Sequence, residues 1–207
     1  MAETFFELRL YEVEPGRMRD MVTRFEGPLQ GLFRTHGIRV IGAWHTTAGP
    51  RSPLFVYLMQ WDSMHARDQA WGGFYADPQW HQVRTDTNRG SELVERYDLN
   101  FLKEVLPWCG VALCDDGCLE LYMPRVAVGC GTQARQLMAE QAAALLQPYG
   151  ATVVAAYECM TGDDLPRACL LLSWPSHEQR QAGLACLEQP PLGRADRHLL
   201  QPLLPDR

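Results

Sequence analysis

The chain repeats itself at long range, and that constrains its fold more than any other feature. Trp61-Asp62-Ser63-Met64-His65-Ala66-Arg67 returns as Trp174-Pro175-Ser176-His177-Glu178-Gln179-Arg180, with Trp, Ser and Arg matched at an offset of 113 residues. Gly37 meets Gly150 and Pro78 meets Pro191 at the same offset. Near the start, Leu8-Arg9-Leu10-Tyr11 aligns with Leu119-Glu120-Leu121-Tyr122 at an offset of 111, so one small length change is expected between Tyr11 and Gly37. A period this long indicates duplicated domains and not a solenoid of short units. The 207 residues suffice for two cores of about 100 residues each.

Each half reads as strand, helix, strand, strand, helix, strand. Phe5 to Val13 alternates, with Phe6, Leu8 and Leu10 on one face and Glu7, Arg9 and Tyr11 on the other. Met18, Met21, Val22, Phe25, Leu29, Leu32 and Phe33 follow at helical spacing, with Pro28 predicting a kink. Ile38 to Thr47 and Leu54 to Trp61 are the next strands. Asp62-Ser63 starts a helix running to about Tyr75, and Glu92 to Leu99 is a fourth strand. The second half repeats the order, with strands at Cys118 to Arg125, Thr152 to Cys159, Ala168 to Trp174 and His198 to Leu204. Residues 1–102 are thus expected as one domain, 103–117 as a linker carrying Pro107 and Gly110, and 118–207 as a divergent second domain. A βαββαβ unit is ferredoxin-like, with both helices on one sheet face. The bare face must be covered, and two units can cover each other. The expected fold class is α+β: two tandem ferredoxin-like units forming an intrachain pseudo-dimeric α/β barrel.

Composition narrows the function classes. Lys plus Arg total 19 against 25 Asp plus Glu, a net charge of −6, which argues against a nucleic-acid partner. There is no apolar run of about 18 residues, so no transmembrane helix is expected. The start lacks a basic n-region and a long apolar stretch, so it does not read as a signal peptide, and a cytoplasmic location is expected. Seven cysteines, an odd number, then read as reduced thiols. Cys109, Cys114 and Cys118 cluster, but their spacing fits no common zinc site, and no metal is expected.

Glu7-Leu8-Arg9-Leu10-Tyr11 with Glu14-Pro15-Gly16, Gly42-Ala43-Trp44, Trp61-Asp62-Ser63 with Arg67, and Ala76-Asp77-Pro78-Gln79-Trp80 follow one another along the first half. In this order and spacing they resemble the NIPSNAP family of the dimeric α/β-barrel superfamily. The resemblance covers Glu7 to Arg84 well and is weaker from Gly117 onward, where the Asp-Pro-x-Trp segment becomes Gln189-Pro190-Pro191. It implies the fold. It implies little about activity, because the superfamily includes cofactor-free monooxygenases, haem-degrading enzymes, lyases, isomerases and members with no known reaction. In haem-binding relatives a helix-borne histidine near His81 is an axial ligand; nothing else here signals haem, and no cofactor is expected.

The candidate site residues come from strand alternation. Leu8 and Leu10 are taken to face the helices, which turns Glu7, Arg9 and Tyr11 into the barrel. An inward arginine can bind an anionic oxygen, and a tyrosine can donate to one. Equally, Glu7 and Arg9 can form a structural ion pair. Tyr57, Met59 and Trp61 are placed on the same cavity-facing set. Trp44 and His45 lie on opposite faces, and alternation does not say which is inside; His45 is the candidate general base for its chemistry. The catalytic candidates are therefore His45, Tyr57 and Tyr11, with Arg9, Glu7, Trp44, Met59 and Trp61 as substrate-binding candidates. Arg67 and Arg180, kept in both copies, read as structural. Two function classes remain: an enzyme running cofactor-free acid–base or oxygen chemistry on a small hydrophobic or aromatic metabolite, or a non-catalytic module that binds a ligand or a protein. A homodimer is compatible with either.

Overall fold

The computed structural model describes residues 4–110 and 116–203. The described residues hold eight strands, paired antiparallel, with helices between them. In chain order the first half contributes β1 (Phe5–Val13), α1 (Met18–Arg24), α2 (Gln30–Thr35), β2 (Arg39–Ala48), β3 (Leu54–Trp61), α3 (Met64–Ala76), α4 (Pro78–Asn88) and β4 (Val94–Leu106). The second contributes β5 (Cys118–Val126), α5 (Gly131–Gln136), α6 (Ala142–Leu146), β6 (Thr152–Cys159), β7 (Ala168–Trp174), α7 (His177–Gly183) and β8 (Leu192–Pro202). Contacts divide the chain into two units. Of the described residues, the first holds 4–45, 51–100 and 202–203, and the second holds 46–50, 101–110 and 116–201.

In the first unit β3 lies between β1 and β2, with Arg9 opposite Tyr57 and Ala43 opposite Tyr57 on the other side. β1 is buried on both faces from Phe5 to Leu10, so its alternation separates two covered faces and not an inside from a solvent side. One face carries Phe6, Leu8, Leu10, Trp44 and Val56, all buried. The other carries Glu7, Arg9, Tyr11 and Tyr57. Its identity is set by α3: Arg67 of that helix bonds Glu7, and the Arg9 guanidinium lies 4.0 Å from the centre of the Trp71 ring. Glu7, Arg9 and Tyr11 therefore face the helices, the reverse of the sequence expectation. That expectation took leucines as the helix-facing set. Here the helix layer brings its own counter-charge and aromatic ring, which stabilise a charged face under it.

The helices begin and end where local chemistry places them. Ser63 caps α3 by accepting from the Ala66 N–H, and Asp77 caps α4 by accepting from the Gln79 N–H. Asp77 also meets His36 Nε2 at 2.7 Å. α4 was not foreseen, because its polar sequence carries no apolar stripe; Asp77-Pro78, a cap followed by proline at the first turn, is the signal that could have found it. Between α1 and α2 the chain makes a π-type turn, Phe25–Leu29, with Gly27 outside helical geometry and Pro28 inside it. This is the predicted kink. A similar π-type turn, Leu137–Gln141, separates α5 from α6 without a proline, so the bulge belongs to the unit's architecture and Pro28 only accommodates it.

The second unit repeats the element order of the first except that, among the described residues, no counterpart of α4 stands between α7 and β8, and its strands run β8-β5-β7-β6. Lys103 to Leu106, expected as linker, is strand: it completes β4 and pairs with β6 in this unit. Residues 111–115, with Cys114, lie outside the described residues. The buried triad of the first unit recurs. Glu120 accepts from Trp174 Nε1 at 2.9 Å and from Arg180 at 2.7 Å, as Glu7 accepts from Trp61 and Arg67. Glu120, Trp174 and Arg180 each stand 113 residues after their counterparts. The first strands thus align at 113 and not 111, and no length change is needed before Gly37. A two-residue slip preserves strand alternation, which is why the sequence could not exclude it. Gly37 and Gly150, both with positive φ (69° and 66°), close the helices at the same place in each unit.

Candidate functional site

The chemistry of the first unit is concentrated between its sheet and its helices. A column of polar side chains starts in the core. Glu7, fully buried, accepts on Oε1 from Arg9 Nε at 2.7 Å and Arg67 Nη2 at 3.1 Å. On Oε2 it accepts from Arg67 Nε at 2.7 Å and Trp61 Nε1 at 2.9 Å. Burial opposes the Glu7 carboxylate, but the hydrogen bonds from Arg67 and the charge of Arg9 outweigh it and hold its pKa below the ordinary value. Arg9 then donates from Nη1 to the Tyr11 hydroxyl at 2.8 Å, and the Tyr57 hydroxyl lies 2.6 Å from that of Tyr11. Burial opposes the charge on Arg9, yet the Glu7 carboxylate and the hydrogen bond to Tyr11 hold it firmly protonated.

The column ends in a cavity of about 740 Å³. Tyr11 and Tyr57 form part of its floor. Phe25, Leu29 and Phe33 from the π-turn and α2 make one wall, and Trp71, Phe74 and Tyr75 of α3 another. Trp80 and His81 of α4 and Tyr97 of β4 complete the aromatic lining. Phe33 stacks near Tyr57 with ring centres 6.5 Å apart, and Phe74 packs on Trp80 at 4.7 Å. Flat apolar walls of this kind suit a flat apolar guest.

Two features make the cavity more than an aromatic cluster. The Tyr11–Tyr57 pair has two hydroxyl protons, and only one can lie between the two oxygens. Arg9 occupies an acceptor position on Tyr11, so the second phenolic proton has no protein partner among the described residues and is left for a guest. Burial raises the pKa of both phenols, against the pull of Arg9, so both remain neutral donors at neutral pH. Trp71, also on the wall, has a buried Nε1 with no hydrogen-bond acceptor. Unpaired buried donors are costly, and an acceptor on a guest would relieve them.

The sequence candidates separate accordingly. Tyr11 and Tyr57 line the cavity. Arg9 stands one hydrogen bond behind them, and Glu7 and Trp61 stand behind Arg9. Met59, fully buried opposite Glu7, packs in the core and is not among the lining residues. Trp44 pairs with Val56 on the opposite sheet face. His45 shares the helix-facing side with Phe55 but is likewise not a lining residue; His81 is the imidazole that lines the cavity. Sequence reasoning missed Arg24, which also lines the cavity although only 4% exposed. The signal was present: Arg24 sits three residues after Met21 and directly before Phe25, within the apolar stripe of its helix. No grouping of three or more His, Cys, Asp or Glu side chains suited to a metal occurs among the described residues.

Residues 6–107 match the NIPSNAP family model. These residues form a NIPSNAP-family domain. The matched segment contains every residue of the polar column and of the cavity. A search among curated proteins finds no match. Among solved structures, a candidate monooxygenase from Lactobacillus acidophilus superimposes with a TM-score of 0.65 at 9% identity, covering 98% of this chain and 95% of that one. A second candidate monooxygenase, from Fusobacterium nucleatum, gives 0.60 at 10% identity, covering 100% and 98%. A NIPSNAP-like domain protein from Burkholderia xenovorans is 22% identical over 50% of this chain and 86% of its own, with a TM-score of 0.45. At these identities the two full-length matches bear on the fold. No helix among the described residues is long and apolar enough to cross a membrane.

Proposed function

We propose that the NIPSNAP unit binds a planar aromatic small molecule bearing a carbonyl or phenolic oxygen and hydrogen-bonds that oxygen through the Tyr11–Tyr57 pair. The observation that carries this reading is the phenolic proton left without a protein acceptor at the floor of an aromatic cavity. Arg9, held charged by Glu7, polarises the pair. Such a donor stabilises negative charge that develops on oxygen when a proton leaves the carbon beside a carbonyl. The bonding electrons move to the oxygen, and the proton goes to a base, for which His81 is the imidazole at hand. The enolate can then react with dioxygen: one oxygen atom stays on the carbon, whose CH2 becomes a carbonyl, and the other leaves as water, so dioxygen is the oxidant and no reductant is consumed; the two structural neighbours are named candidate monooxygenases. A carrier without catalysis would use the same contacts, and the exposure of His81 favours that second reading. We also read the two units as an internal pseudo-dimer of one module, supported by the buried Glu–Trp–Arg triad in each.

Xanthone, a flat tricyclic ketone, tests the binding. Its affinity is read from quenching of tryptophan fluorescence and compared with that of xanthene, which lacks the carbonyl. Each single Tyr→Phe change leaves one donor, so the informative variant is Tyr11→Phe/Tyr57→Phe. Loss of one hydrogen bond worth about 1 kcal/mol predicts a drop of about fivefold for xanthone and none for xanthene. Equal binding of both compounds by both proteins would sink the proposal.

A further inference from the structure

We infer that the guest of this cavity carries a carboxylate, or a group of the same charge and shape, which Arg24 receives. This rests on the aromatic-ligand reading and adds to it the anionic end of the molecule. Arg24 arises from the last turn of α1, where the neighbouring π-turn tilts the wall of the cavity, and it lines that cavity. Its Nε donates to Thr87 Oγ1 at 2.7 Å and its Nη2 to Asn88 Oδ1, both neutral acceptors. Nη1 has no partner among the described residues, and no carboxylate there is paired with the guanidinium. The contrast with its neighbours is direct. Arg17 is met by Asp20 and Glu14, Arg84 by Glu92, and Arg9 by Glu7. Arg24 alone of these four is buried without a counter-ion.

A guanidinium taken out of water costs free energy unless an anion compensates it. Burial does draw Arg24 down to about 10, and Arg17 and Arg84 nearby add to that against the pull of Glu92. It stays charged at neutral pH. Glu92 is engaged by Arg84, and Glu95, the other carboxylate on the lining, is exposed. The fork of Arg24 is suited to a carboxylate, and Trp80, whose ring centre lies 5.9 Å from its guanidinium carbon, provides a flat surface beside it. A guest spanning the cavity would then place its acceptor oxygen on Tyr11 and Tyr57 and its acid group on Arg24.

Xanthone-2-carboxylate and xanthone-2-carboxamide, equal in shape and different in charge, are the probes. Wild type is expected to prefer the carboxylate by about tenfold or more, the effect of a charge-assisted hydrogen bond. Arg24→Met should bring the ratio to about one; the ratio within each protein is the readout, and saturable binding of uncharged xanthone, at whatever affinity, reports that the cavity is present. Absence of the preference in wild type, or its survival in Arg24→Met, overturns the inference; if xanthone itself still binds, the aromatic-ligand reading stands. If no compound binds wild type, both fall together. Arg24 also holds α4, so should Arg24→Met fail to fold, the crystal structure of wild type with xanthone-2-carboxylate decides. A carboxylate within hydrogen-bond distance of Arg24 supports the inference, and a carboxylate elsewhere overturns it.

Discussion

Replacing Glu7 by Gln tests the physical account of the first unit most directly. The carboxylate is fully buried and accepts four hydrogen bonds, from Arg9, Trp61 and two nitrogens of Arg67. An amide of the same size keeps one acceptor oxygen and turns an N–H toward donors on the other side. It also leaves Arg9, 3% exposed, without its counter-charge. Breaking a buried ion pair from one side costs about 3–5 kcal/mol. At about 2–4 °C per kcal/mol for a chain of this length, the midpoint of thermal unfolding should fall by roughly 6–20 °C. The assay is denaturant and thermal unfolding followed by circular dichroism. Acid titration adds a second check. The Glu7 carboxyl is depressed in the fold, so its contribution is present above its unfolded value, about 4.5, and disappears as pH falls through the lower folded value. The gap between wild type and Glu7→Gln should therefore narrow below about pH 4.5. A gap smaller than about 1 kcal/mol at neutral pH, the size of a surface pair, would refute the reasoning.

Glu120→Gln should show a loss of similar size, about 3–5 kcal/mol, because Trp174, Arg180 and Arg197 converge on that carboxylate; an effect confined to Glu7 would contradict the equivalence of the two triads. Gly183→Ala places a Cβ 2.7 Å from the Trp174 ring and 2.9 Å from Tyr149, and overpacking should cost about 1–3 kcal/mol in the same unfolding assay. Ser63→Ala removes the cap of α3 and should cost about 1 kcal/mol. A disulfide thiol reagent should modify exposed Cys109 quickly. Cys159, whose thiol burial pushes up to about 12, and Cys169, which burial holds well above the ordinary thiol value, should react only on unfolding, as peptide mapping with time would show.

The strands and the helices that carry an apolar stripe are a matter of local periodicity, and the sequence determines them by itself; α4, without a buried residue, is not among them. Leu54–Trp61, Thr152–Cys159 and Ala168–Trp174 are the strands that alternation and turn residues predict, and Ser63 and Ser176 cap the helices they introduce. Alternation also places Glu7, Arg9 and Tyr11 on one face, because residues two apart on a strand share a side; the pairing of β1 with β3 adds Tyr57, opposite Arg9. Which side that is, only the tertiary structure decides. Both faces of β1 are covered, so hydrophobicity does not distinguish them, and the deciding partners, Arg67 and Trp71, lie about 60 residues away on α3. The same holds for His45 and His81. Either imidazole suits the chemistry, but the pairing of β2 with β3 leaves the first off the cavity lining, and the packing of α4 sets the second on it. Arg24 is the sharpest case. Its place in an apolar stripe is visible in the sequence, whereas its lack of a counter-ion is not, since that depends on α4 offering Thr87 and Asn88, two neutral oxygens, where a carboxylate would have neutralised it.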